Sequence, residues 1–136
     1  MRLDLYQAET ERVARAQKAL LAQARAILEQ GRQLSPLEQG GVLHALQVLV
    51  ENAIGKAKQL LKARGQGVPV SGYDAFSALA DSGLIERQEL IAWNAVVGLR
   101  NRIVHDYMNI DMEQVTGLLM TDKPQFIVDF LTQQFD

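Results

Sequence analysis

The chain has 136 residues, of which 48% are hydrophobic and 22% charged, a balance that suits one folded domain over residues 1–136 rather than a disordered segment. It has no cysteine, which excludes a disulfide scaffold, a thiolate metal site and a cysteine nucleophile; its two histidines, His44 and His105, are too few for a histidine-rich metal centre unless carboxylates supply most of the ligands. The net charge of −2 argues against binding nucleic acid through the whole surface and leaves room for a local basic site.

The opening residues, MRLDLYQAET, carry acidic and polar side chains where a secretory signal needs an apolar stretch. No apolar run reaches membrane-spanning length, so a soluble, cytoplasmic protein without a membrane partner is expected. From Leu3 to Gln30 the composition favours helix, and Val13, Ala16, Leu20, Ala24 and Ile27 step by three and four as one apolar stripe. Gly31 stops it. Ser35-Pro36-Leu37-Glu38 then forms a capping-box start with proline at the first helical position. The second helix runs toward Arg64 with Leu43, Leu46, Val50, Ala53, Ala57 and Leu60 as its stripe. Gly65-Gln66-Gly67 ends it, and Pro69 forbids continuation. Tyr73–Ala80 is predicted as a short helix stopped near Gly83. A longer one follows from about Ile85 to about Val104, with Trp93, Val96 and Val97 as core or dimer interface. Met112–Met120 and Gln125–Phe135 complete the set, separated by Thr121-Asp122-Lys123-Pro124. No segment alternates with period two, so no strand is expected. The predicted fold is an all-α antiparallel bundle of five or six helices.

The residues with chemical potential cluster from Arg100 to Tyr107. Arginine supplies a permanent charge and a donor fork suited to phosphate, histidine a group that exchanges protons near neutral pH, and tyrosine a phenol that can bond, stack or be modified. These suffice for metal-free cleavage of RNA, in which the ribose 2′-hydroxyl attacks the neighbouring phosphate. On one ideal helix, however, Arg100 and His105 lie about 140° apart. Asn101 shares a face with His105, and Arg100 with Tyr107. The helix must loosen near His105, the arginine must wrap round, or a second copy must complete the site. Against this stands the plain alternative of dipole compensation by basic side chains at a helix end.

The stretch GLRNRIVHDYMNID, from Gly98 to Asp111, resembles the signature of the HepT-like branch of the HEPN superfamily: Arg100, four residues, His105, one residue, Tyr107. The similarity extends to VLHALQVLVENAIGKAKQLL, to VPVSGYDAFSALADSGLI and to NIDMEQVTGLL, roughly the last hundred residues in all. The resemblance implies a small α-helical homodimer. It further implies a metal-independent endoribonuclease toxin of a type II/VII-like toxin–antitoxin pair, needing no cofactor. Its antitoxin partner would be a minimal nucleotidyltransferase that neutralises it by transferring AMP to the motif tyrosine. On that pattern Arg100 stabilises the phosphate, His105 is the acid/base residue, Asn101 supports the site and Tyr107 is an active-site residue and AMP acceptor. The competing reading is a non-catalytic HEPN partner subunit that binds nucleotide or RNA for a nucleotidyltransferase. A purely structural helical adaptor is a third.

Other polar residues are expected to be bland. His44 is structural or exposed. Glu51 or Asn52 could orient a motif side chain, although a solvated or interface role is favoured. Arg102 contacts substrate or partner, or is surface charge. Asp106 is assigned no chemistry, and Arg12, Arg15, Lys18 and Arg25 form a solvated face.

Overall fold

Every helix expected from the sequence is present in the computed structural model of the chain, which describes residues 3–135. The order is α1 (Leu3–Glu29), α2 (Pro36–Ala63), α3 (Gly72–Asp81), α4 (Leu90–His105), α5 (Met112–Leu119) and α6 (Lys123–Thr132), with no strand among the described residues. Gly31, Gly65 and Gly83 follow α1, α2 and α3 with φ of 82°, 72° and 77°, a left-handed conformation that other residues adopt only at a steric cost.

The start of α2 is built as its sequence predicts. Ser35 Oγ accepts from the Glu38 amide, and Glu38 Oε1 accepts from the Ser35 amide. Arg32 also donates both terminal nitrogens to the Glu38 carboxylate. These bonds, the Arg32 side chain first and the Ser35 amide next, pull the Glu38 carboxyl down to about 2. Two helices differ from the sequence reading in their limits. The segment from Ile85 opens with a 3₁₀ turn at Arg87–Glu89, so α4 begins only at Leu90; Glu86 and Glu89 close a capping box over that turn. The last helix starts at Lys123 and ends at Thr132. Pro124 serves as an early helical residue there, in place of a separator.

Helix α2 occupies the centre, touching α1, α3, α4 and α6. Its buried surface is therefore wider than one stripe and includes Val42, Ala45, Leu49 and Leu61 beside the expected residues, while Leu60 is only partly buried. The stripe predicted for α1 is displaced. Thr10, Ala14, Leu21 and Ala24 are the buried positions, and Leu20 is 46% exposed. Small residues at 10, 14 and 24 let α1 approach both α2 and α6, which the larger Val13 and Leu20 would not. The Gln7 amide donates to the Leu131 carbonyl, and Arg25 to the Leu119 carbonyl. Leu131 lies at the end of α6 and Leu119 ends α5 just before α6 begins, so α1 and α6 run in opposite directions. Trp93 is fully buried, stacked on Phe76 at 4.1 Å and edge-on to Phe130, so the Trp93, Val96, Val97 cluster is core.

One buried cation ties this core together. Lys56 on α2 is 2% exposed, and its Nζ donates to the carbonyls of Phe130, Leu131 and Gln133 at 2.8, 3.1 and 2.5 Å. It therefore satisfies the orphan acceptors at the C-terminus of α6. Burial pushes its ammonium down to about 8 from an ordinary 10.5. Between those pH values the unfolded chain keeps a proton that the folded chain has released. Stability accordingly rises with pH across that window. Lys56→Met should lower the unfolding free energy near neutral pH by about 2–4 kcal/mol, because the carbonyls lose their donor. Denaturant titrations from pH 7 to 10.5 should also show that the variant lacks the rise seen in the wild type.

Candidate functional site

The 100–107 segment sits where α4 stops. Helical geometry holds through His105. Asp106 then takes φ −145° and ψ 42°, its amide bonded back to the Arg102 carbonyl. Tyr107–Asn109 forms a separate 3₁₀ turn, which the Asp106 carboxylate steadies by accepting from the Asn109 amide at 2.7 Å. The chain thus does loosen directly after His105. Because Tyr107 lies beyond the helix, the expectation that it shares a face with Arg100 does not apply.

Arg100 shares a face of α4 with the buried Trp93 and Val97, and its side chain reaches α2. Its Nε and one terminal nitrogen donate to Glu51 Oε2 at 3.2 and 2.8 Å, and the other terminal nitrogen donates to Asn101 Oδ1 at 3.1 Å. Glu51 projects from the middle of α2, and Gln47 one turn earlier donates to its other oxygen at 3.5 Å. The guanidinium is thereby turned toward Asn101, which lies one helical turn from His105 on the same face. The helix breaks only after His105, so the break does not itself carry His105 toward Arg100. No hydrogen bond or ion pair joins Arg100 to His105 among the described residues.

Glu51 is the residue whose importance sequence reasoning underrated. A carboxylate midway along an otherwise apolar helix was the available signal, and its partner lies 49 residues away. Asn52, the other candidate, bonds its own helix through the Val48 carbonyl. His44 is exposed.

The remaining members face outward. His105 and Arg102 are exposed, and Tyr107 is 51% exposed. Tyr107 borders a shallow depression of about 220 Å³, floored by Gln39, Gly40 and Leu43 of α2 and walled by Met112. Among the charges of α1, Arg12 pairs with Glu9 and Arg25 with Glu29, in keeping with a solvated face. Among the described residues no group of three or more histidines and carboxylates is placed to hold a metal ion, and no helix is long and apolar enough to cross a membrane.

Comparison with known proteins identifies both a family and a fold. The family model described as "Ribonuclease HepT-like" matches residues 11–130. The mRNA nuclease HepT of Shewanella oneidensis is 33% identical over 92 residues, covering 65% of this chain and 69% of that protein. Among solved structures, the tri-AMPylated HEPN toxin of Shewanella oneidensis in complex with its MNT antitoxin superposes with a TM-score of 0.78 at 22% identity, over 95% of this chain and 98% of that one. A toxin–antitoxin structure with AMP-PNP gives the same TM-score at 21% identity, over 93% and 97%. At these identities the two structures establish a shared fold.

The Arg100–Glu51 pair is partly solvated, with side chains 26% and 37% exposed, so it should orient more than it stabilises. Glu51→Gln is expected to change the unfolding free energy by no more than about 1 kcal/mol. Thermal melts of the two proteins test this, and a much larger loss would make Glu51 a structural residue.

Proposed function

The chain belongs to the HepT-like family of ribonucleases, and on that premise we propose that it is a metal-independent endoribonuclease toxin in which Arg100 and His105 carry the reaction. The observation behind this reading is the end of α4. There the Arg100 guanidinium is held by Glu51 and bonded to Asn101, a residue that shares a helical face with the exposed His105. In the reaction the 2′-oxygen of a ribose bonds to the adjacent phosphorus and the bond to the 5′-oxygen breaks. A 2′,3′-cyclic phosphate and a 5′-hydroxyl result. His105 takes the proton from the attacking hydroxyl or supplies one to the leaving oxygen, and Arg100 offsets charge on the phosphoryl oxygens. Asn101 and Glu51 are positioning residues that restrict the guanidinium to a few orientations.

The functional unit of this proposal is a cytoplasmic homodimer, with the two motifs facing one cleft and concentrating Arg100 and Arg102 from both copies. Its regulator is a minimal nucleotidyltransferase antitoxin that transfers AMP from ATP to the Tyr107 hydroxyl with release of pyrophosphate. The half-exposed position of that phenol supports this assignment, as does the modified state of the Shewanella oneidensis toxin in complex with its antitoxin. A phosphodiester on Tyr107 places negative charge and bulk beside the motif, repelling RNA and blocking its path.

Unmodified wild-type protein should cut cellular RNA in the presence of EDTA. His105→Ala should slow cutting at least about a hundredfold while keeping the helical circular-dichroism signal and the dimer mass. Inhibition by EDTA would count against metal independence. Absence of cutting by wild type on several RNA classes would favour the non-catalytic partner subunit. For the regulation, co-expression with the cognate nucleotidyltransferase should add AMP mass to wild type and none to Tyr107→Phe. Equal mass gain on both would remove Tyr107 as the acceptor.

A further inference from the structure

The exposed face of α4 continues past the motif toward a second aromatic residue. At roughly 100° per residue, Gly98, Asn101, Arg102 and His105 share one face of the helix. Gly98 leaves room on that face for side chains from elsewhere to approach the backbone. A methyl group there would come within 3.2 Å of Tyr73 Oη and 3.7 Å of an Arg102 terminal nitrogen. The phenol and the guanidinium thus flank one point of the α4 backbone.

Both groups are available. Tyr73 is 40% exposed. The Arg102 side chain is exposed and, unlike that of Arg100, has no hydrogen bond or ion pair among the described residues. The segment carrying Tyr73 is held in three ways. The Ser71 hydroxyl accepts from the Asp74 amide, Lys58 donates to the Val70 carbonyl at 2.6 Å, and Gly72 lies flush on Ile54 and Val97, where a methyl would meet Ile54 at 2.8 Å. A pinned, half-exposed aromatic ring next to an uncommitted arginine suits the two parts of a single-stranded nucleotide, a stackable base and a charged phosphate.

We propose that Tyr73, Gly98 and Arg102 form a subsite for a nucleotide flanking the cleaved phosphate, with its base stacked on the Tyr73 ring and its phosphate paired with Arg102. The proposal rests on the ribonuclease reading for its substrate, and it adds residues from α3 that lie outside the motif. Gly98 is part of the design, since any side chain there would press on the phenol and close the approach to the backbone. Tyr73 sits about two helical turns from His105 along α4, too far to touch the reacting atoms. Its effect belongs in binding and in the choice of cleavage position.

The test uses the intact His105→Ala protein and a single-stranded oligoribonucleotide carrying 2-aminopurine, read by fluorescence quenching and anisotropy. Adding Tyr73→Ala should abolish the quenching and weaken binding roughly tenfold, whereas Tyr73→Phe should keep both. Adding Arg102→Gln should reduce the slope of log affinity against log salt by about 0.7, one phosphate's worth for a single strand. In the His105-intact protein the same changes should raise KM and leave kcat nearly unaltered. Unchanged affinity and quenching in Tyr73→Ala would overturn the proposal. So would loss of dimer mass in Tyr73→Ala and Arg102→Gln, which would make this face the contact between copies. Binding that depends on Tyr73 and Arg102 in a protein that cuts no RNA would support the subsite while refuting the ribonuclease reading.

Discussion

Helix α2 is surrounded by α1, α3, α4 and α6, and much of the molecule follows from what that enclosure demands. A buried apolar helix is stabilised by leaving water, but each charged group on it must find a partner nearby. Two such groups, Glu51 and Lys56, stand on different sides of this helix. Lys56 turns to α6 and takes up three of its terminal carbonyls. Glu51 turns to α4 and takes the guanidinium of Arg100. One partnership secures the end of the bundle and the other orients the motif. The same element thus links packing to chemistry.

The orientation of Arg100 has a cost and a use. A guanidinium already bonded to a carboxylate is a weaker attractor of phosphate than a free one, since RNA must share it or displace Glu51. In return the long side chain loses less freedom when the phosphate arrives. Because the pair is partly solvated, the exchange is gradual. Arg102, two positions on, has no such restraint. On the proposed reading the site would separate a held arginine for the reacting phosphate from a free one for its neighbour, on a chain whose overall charge is −2.

Termination of α4 is the second decisive local feature. Had the helix continued, Tyr107 would have pointed to the same side as Arg100 and toward α2. Instead Asp106 leaves helical geometry and the phenol stands over a shallow depression beside the start of α2. That position leaves the phenol half exposed while keeping it next to the motif in sequence, as the proposed modification requires. The Asp106 carboxylate, given no chemistry by its position in the motif, braces the turn by accepting from the Asn109 side-chain amide.

Much of this was written locally. The stops at Gly31, Gly65 and Gly83, the Ser35–Glu38 capping box and the absence of strands depend on interactions within a few residues, so the sequence displays them directly. The cluster from Arg100 to Tyr107 was visible for the same reason, as contiguous residues of unusual chemistry. What the tertiary structure decided involves partners far apart in the chain. The stripe of α1 turned so that Thr10, Ala14 and Leu21, not Val13 and Leu20, meet the core beside the expected Ala24. Periodicity reveals which residues share a face, but only the neighbouring helices determine which face is pressed inward and how closely. Glu51 meeting Arg100 and Tyr73 lying over Gly98 are of the same kind. Each joins helices whose separation along the chain carries no local signal, and it is packing around α2 that brings them together.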